Sequence, residues 1–193
     1  MKRFIVASAS PRRKELLENI GYRFEIIPSD ADERCNERLS PEELVMELAE
    51  RKAKSVFEKN TDAVVFGCDT VVEYDGIVLG KPKSHDEARE MLCKLSGRIH
   101  NVHTGVCITD GERTECFVST VKVEFYELTE ALIESYTATG ESDDKAGAYG
   151  IQGLGSVLVK GIKGDYFSVV GLPVAETARR LAEFGIVSES LRL

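Results

Sequence analysis

Positive charge is in short supply here: 25 Lys and Arg stand against 33 Asp and Glu, a formal net charge of −8. That balance argues against unassisted binding to nucleic acid or to an anionic membrane surface. It also makes any local cluster of arginine or lysine informative. Long apolar runs are missing as well, and none approaches the ~18 residues a membrane span needs. The apolar run before Ser8, Phe4 to Ala7, is only four residues long, too short for a secretory signal. The five cysteines, Cys35, Cys68, Cys93, Cys107 and Cys116, are odd in number and form no C-x-x-C pair. Together these absences lead us to expect a cytoplasmic protein with reduced thiols. Neither G-x-G-x-x-G nor G-x-x-x-x-G-K-[ST] occurs, so a dinucleotide fingerprint and a P-loop are both unsupported. No repeat or low-complexity segment is present.

The stretch Phe4 to Gly21 carries the first functional signal. Phe4-Ile5-Val6-Ala7 reads as a buried strand. Ser10 caps and Pro11 opens a helix, with Leu16, Leu17 and Ile20 on one face and Gly21 at its end. A strand, a small-residue loop and a helix start present free backbone N–H groups and a positive dipole end, a site suited to an anion. Arg12 and Arg13 in the first helical turn oppose that dipole, which makes sense if a phosphate neutralises them.

Further along, Tyr22 to Ile27 is rich in strand formers, and residues 29 to 39 form a polar loop. Asp30, Asp32 and Glu33 there are either a solvated acidic turn or a metal-ligand loop. Ser40 and Glu43 form a capping box for a helix whose apolar stripe runs from Leu44 to Phe57. Lys52 falls on that stripe, either snorkelling to water or reaching an anion. Ala63-Val64-Val65-Phe66 is a second buried strand, and Asp69 sits between it and Val71-Val72. A buried carboxylate costs several kcal/mol unless a cation or hydrogen bonds compensate, so Asp69 reads as functional.

Asp75-Gly76 marks a hairpin, and Gly80-Lys81-Pro82 places a lysine in a constrained turn. Ser84 and Glu87 cap another helix, to Ser96. Residues 98 to 126 read as two long strands joined at Asp110-Gly111, and Thr129 to Thr139 as a short helix. His100 and His103, three apart on a strand, point to opposite faces, which sets a zinc site aside. Residues 141 to 155 form a glycine-rich loop whose Gln152 could offer an amide to a base edge. Ser156 to Lys163 and Tyr166 to Val170 read as a second hairpin across Gly164-Asp165. A last helix opens after Pro173. Early alternation of strands and helices followed by hairpins gives a mixed α/β sheet with helices packed on it.

Four segments together resemble the motif set of the Maf family, from residue 3 to about 184: Ser8-Ala9-Ser10-Pro11-Arg12-Arg13, Cys68-Asp69-Thr70-Val71-Val72, Gly80-Lys81-Pro82, and Asp144-Lys145-Ala146-Gly147-Ala148-Tyr149-Gly150-Ile151-Gln152-Gly153. The resemblance implies a single domain over residues 1–193. Its fold would be a mixed twisted sheet with flanking helices and a cleft between two lobes, similar to inosine triphosphate pyrophosphatases. It implies metal-assisted hydrolysis of a nucleoside triphosphate to the monophosphate and pyrophosphate, with a divalent cation such as Mg2+. It also implies a link to cell-division arrest and to clearance of modified nucleotides.

By the same resemblance Asp69 is the general base. Arg12, Thr70 and Gln152 set base specificity. Ser8, Arg13, Lys52 and Lys81 line the phosphate end, and Glu33 faces the metal with Asp69. The D-K-A-G-A-Y-G-I-Q-G form resembles the branch acting on dTTP and UTP. How Asp69 divides between base and metal ligand stays open, as does oligomeric state, for which a homodimer is one option. Competing readings are a pyrophosphatase for damaged nucleotides, a nucleotide-binding regulator of division, and a phosphate-binding structural protein. A buried carboxylate among cations argues against the regulator, and the motif set against the structural protein.

Overall fold

A computed structural model describes residues 2–34 and 39–191. The sheet has seven strands: β1 (Arg3–Val6), β2 (Glu25–Ile26), β3 (Ala63–Tyr74), β4 (Ile77–Leu79), β5 (Ile99–Thr109), β6 (Thr114–Phe125) and β7 (Val159–Lys163). Their order is β2-β1-β3-β5-β6-β7, with β4 on β3. β1 runs parallel to both β2 and β3, whereas β4 and β7 pair antiparallel with β3 and β6, so the sheet is mixed. Among the described residues six α-helices accompany it: α1 (Pro11–Asn19), α2 (Pro41–Phe57), α3 (His85–Leu95), α4 (Glu130–Thr137), α5 (Tyr166–Val170) and α6 (Val174–Glu183).

The chain forms two compact units, and β3, β5 and β6 each contribute to both. The first comprises the described parts of Met1–Asp69, Thr104–Ser119 and Gly171–Leu193. Its core joins Ile5 and Ala7 of the first strand segment, Ala49, Ala53 and Val56 of α2, and Val65 of β3. Ser40 and Glu43 close the expected capping box on α2, the Glu43 N–H donating to Ser40 Oγ (3.2 Å) and the Ser40 N–H to Glu43 Oε2 (2.8 Å). Helix α2 lies unusually close to the sheet. A Cβ on Gly67 of β3 would collide with the Ala49 carbonyl and stand 2.7 Å from Ala53 N. One on Gly105 of β5 would collide with the Val45 carbonyl and stand 2.8 Å from Met46 N. Only glycine permits that approach.

The second unit comprises Thr70–His103 and Thr120–Val170. Met91, Leu92 and Leu95 of α3, Val121, Val123 and Phe125 of β6, and Ile133 and Tyr136 of α4 fill its core. Burying each large apolar side chain contributes about 1.5–3 kcal/mol. Asp75 (φ 53°) and Gly76 (φ 76°) make the expected tight turn between β3 and β4, with positive φ at both central residues. At α3 the Glu87 N–H donates to Ser84 Oγ, but Glu87 Oε2 accepts from the Lys83 N–H, one residue before the cap.

The structure bears out one further reading and departs from several others. Residues 63–74 form one continuous strand, and Asp69 lies inside it between apolar strand residues. The strand expected over Tyr22 to Ile27 shrinks to two residues. The second hairpin is half formed: β7 pairs with β6, but Tyr166–Val170 is helical. There Asp165 accepts from the Phe167 N–H and from the Ser168 hydroxyl, which nucleates a turn and outweighs the strand preference of Tyr, Phe and Val. Finally, Cys107 and Cys116 are joined as a disulfide, where reduced thiols were expected. The hairpin of β5 and β6 sets them opposite one another, a pairing no spacing rule reveals. Cys68 and Cys93 are free, and Cys35 lies outside the described residues.

Candidate active site

In the first unit the anion-type loop forms as expected, Pro11 taking the first position of α1. The cap differs: Ser10 makes no side-chain capping bond, and its N–H instead donates to Ser8 Oγ (3.3 Å). Arg13 turns inward. Its Nε donates to the Gly171 carbonyl (2.9 Å), and its Nη1 donates to Ser8 Oγ (3.1 Å) and to the Cys68 carbonyl (2.9 Å). A buried guanidinium thus ties the loop to β3 at the residue before Asp69. Arg12, its neighbour, is half-buried. The Cys68 thiol points to the Gly171 carbonyl, and burial pushes it up to about 11. It is therefore protonated at neutral pH and is not a nucleophile.

Asp69 meets its compensating cation. Lys52 Nζ lies 2.5 Å from Asp69 Oδ1 and 2.8 Å from Glu33 Oε1. The Lys52 and Asp69 side chains are only 14% and 15% exposed, whereas Glu33 is 68% exposed. Burial alone would lower the proton affinity of Lys52, but Asp69 and then Glu33 more than offset it and hold the ammonium above its ordinary range. The lysine on the apolar stripe of α2 therefore reaches an anion and does not snorkel to water.

The acidic loop before α2 resolves into separate jobs. Asp30 pairs with Lys59, and Asp32 with Arg34. Of the three carboxylates only Glu33 joins Asp69. Arg51 steadies this loop by donating to the carbonyls of Asp32 (3.3 Å) and Arg34 (2.8 Å). Sequence reasoning missed Arg51, although its place beside Lys52 is the signal that could have found it.

Among the described residues no three His, Cys, Asp or Glu side chains cluster as a metal site. Asp69 and Glu33, which meet at the Lys52 ammonium, are a donor set of the kind that holds Mg2+, a hard cation commonly bound through one or two carboxylates with water and substrate phosphates completing its shell.

In the second unit Thr70 follows Asp69 along β3 and is half-buried. Lys81 is exposed in the turn after β4 and makes no hydrogen bond or ion pair with the described residues. The Gly147 N–H donates to the Gly80 carbonyl (3.0 Å), which couples the glycine-rich loop to the lysine turn. Gly147 takes φ +67°, and a Cβ there would stand 2.9 Å from Val72 Cγ2. Gln152 is exposed at the tip of that loop, and its amide has no hydrogen-bond partner among the described residues. His100 and His103 are both buried, His100 Nε2 bonding the Tyr149 hydroxyl (2.8 Å) and His103 Nδ1 the Thr120 hydroxyl (2.9 Å).

A lysine–carboxylate set beside an arginine-bearing helix start is the equipment of an enzyme working on phosphate groups. Comparison with known proteins narrows this. The model of the family described as Maf-like protein matches residues 3–184, and the chain belongs to the Maf family. It is 51% identical over 186 residues to a dTTP/UTP pyrophosphatase of Bacillus cereus, covering 96% of this chain and 97% of that protein. Proteins of the same name from Bacillus thuringiensis subsp. konkukian and Bacillus anthracis are 50% identical over the same length and share of each chain.

Proposed function

We propose that this protein is a nucleoside triphosphate pyrophosphatase that hydrolyses dTTP and UTP between the α and β phosphates. The observation that carries the reading is Asp69, held inside a strand at 2.5 Å from Lys52 with Glu33 on the same ammonium. Half-identical relatives covering nearly the whole chain bear that activity in their names.

In this reading Arg12, Lys52 and Lys81 neutralise phosphate oxygens, and the Ser8 hydroxyl donates to one of them. Arg13 acts there chiefly by fixing Ser8 and the end of the strand. Asp69 orients the attacking water and takes its proton. Thr70 and Gln152, with Arg12, read the base: uracil and thymine share an N3–H between two carbonyls, which one amide matches with one acceptor and one donor. Cytosine presents an unprotonated N3 and an amine, so a fixed amide leaves a group unpaired and rejects it. Asp69 and Glu33 would hold a divalent cation, Mg2+, which when bound supplies further charge neutralisation and a more acidic water.

Residues 1–193 then serve as one pyrophosphatase domain on free nucleotides in the cytoplasm. A net charge of −8 disfavours nucleic acid as a partner, and among the described residues no helix is long and apolar enough to cross a membrane. A second copy of the chain is the protein partner this reading allows. Supply or removal of modified pyrimidine nucleotides, and through them an effect on division, would follow from the same chemistry.

The test is a panel of nucleoside triphosphates with and without Mg2+, followed by product analysis at early times. Pyrophosphate should appear first, fastest from dTTP and UTP. Orthophosphate as the initial product, or equal rates across the panel, would overturn the reading.

A further inference from the structure

The loop that carries Gln152 is held by groups on α4 and just beyond it, and none of them has a role so far. The Tyr136 hydroxyl accepts from the Gly150 N–H (3.2 Å). Glu141 accepts from the Leu154 N–H at Oε2 and from the Gly155 N–H at Oε1, both at 3.0 Å. The Tyr136 hydroxyl donates in turn to Glu141 Oε1 (3.2 Å), so the two side chains form one unit. Its three backbone bonds fall at residues 150, 154 and 155, on either side of Gln152.

Steric facts say the same. A Cβ on Gly155 would collide with the Gly150 carbonyl and stand 2.8 Å from the Tyr136 hydroxyl. One on Gly153, where φ is +65°, would stand 2.7 Å from Glu141 Oε2. The chain therefore doubles back across Gly150 and Gly155, with Gln152 at the bend. Burial would raise the Glu141 carboxyl, but the N–H bonds from Gly155 and Leu154 outweigh it and hold the group below the ordinary carboxylate range. Bonds to an ionised acceptor are about twice as strong as neutral ones. The Gln152 amide, by contrast, is exposed and has no hydrogen-bond partner among the described residues.

We infer that Glu141, with Tyr136, is a positioning residue for nucleobase selection: it fixes the backbone from which Gln152 meets the pyrimidine edge. This rests on the base-reading role of Gln152 proposed above. An amide discriminates only if it cannot turn or retreat, and a 1 Å drift of its backbone would let cytosine be served as well as uracil.

The experiment compares kcat/KM for dTTP, UTP and CTP in Glu141→Ala, Glu141→Gln, Tyr136→Phe, Gln152→Ala and the double variant Glu141→Ala/Gln152→Ala. Glu141→Ala should reduce the dTTP-over-CTP preference about 10-fold or more, with CTP turnover nearly unchanged. Glu141→Gln, which keeps one acceptor oxygen, should restore part of the preference. In the double variant the preference should fall no further than in Gln152→Ala alone, the non-additivity of residues acting through one another. Hydrogen exchange at Leu154 and Gly155 should quicken in Glu141→Ala, with the rest of the second unit unaltered.

An equal fall for all three nucleotides, or additive losses in the double variant, would overturn the inference. If Glu141→Ala does not fold, Tyr136→Phe removes one hydroxyl from the same unit, and an unchanged preference in it would overturn the inference equally. If Gln152→Ala alone leaves the preference intact, base reading by Gln152 fails and this role fails with it. If Gln152→Ala abolishes the preference while Glu141→Ala and Tyr136→Phe keep it, only the positioning role is lost.

Discussion

Acid should weaken this protein through one histidine. His100 is 2% exposed, with the Phe125 and Tyr149 rings edge-on at 4.9 and 5.4 Å. Its Nε2 bonds the Tyr149 hydroxyl, whereas its Nδ1 is buried with no partner. Protonating the imidazole puts a charge in this apolar site and an N–H where no acceptor waits. Burial accordingly lowers the group to about 4, against a smaller upward pull from Glu73.

An unfolded histidine titrates near 6.5, so on acidification the unfolded chain takes up the proton first. Stability that is fully present above about pH 6.5 is therefore lost as pH falls toward the folded value. Linkage gives a loss of roughly 1 kcal/mol at about pH 5.5 and roughly 2–3 kcal/mol at about pH 4.5. The perturbation is His100→Gln, whose amide can reach the Tyr149 hydroxyl but does not titrate. Urea unfolding of both proteins would be followed from neutral pH downward. The wild type should be the more stable at pH 7, and the gap should narrow by roughly 2–3 kcal/mol by pH 4.5. A gap independent of pH would refute the argument, because every other titrating group is common to both proteins.

Two further outcomes follow from the site and its support. Asp69→Asn should lower kcat about 100-fold or more with fold and nucleotide affinity retained; normal turnover would remove Asp69 from the mechanism, and failure to fold would make its carboxylate structural. Gly67→Ala forces a methyl into the Ala49 carbonyl of α2, and should cost about 1–3 kcal/mol in a denaturant titration. An unchanged midpoint would mean that α2 can lift off β3 freely.

Much of the fold was legible because its signals are local. Ser40 and Glu43 lie three residues apart and cap one helix. Asp75-Gly76 needs only its own backbone to turn. Asp69 was legible for a different reason: a carboxylate in an apolar strand needs a cation, and Lys52 on an apolar stripe needs an anion. Each anomaly announced half of a pair that the structure joins. What the sequence could not show depends on distant partners. Arg13 carries the same charge as Arg12, and nothing in the string Pro11-Arg12-Arg13 tells which one turns inward to meet Gly171. Glu141 looked like one acidic residue among several in ESDDKAGAYGIQGLG, because the N–H groups it collects belong to Leu154 and Gly155. The helix at Tyr166–Val170 was missed because Asp165 capping it outweighs a strand-like composition.

The contact of α2 with Gly67 and Gly105 has a bearing on how this protein can change over evolutionary time. Val45 and Ala49 meet the sheet through their backbone carbonyls, and Ala53 through its backbone nitrogen and its one methyl group. Most helices rest on side chains, so their height above a sheet shifts whenever a core residue grows or shrinks. Here that height is set chiefly by atoms that every amino acid shares. Exchanges at Ile5, Val56 or Val65 should then leave the helix at the same height, and Lys52 in register with Asp69. The hydrophobic core is thereby released to drift, while two hydrogen atoms in place of side chains keep the distance between ammonium and carboxylate.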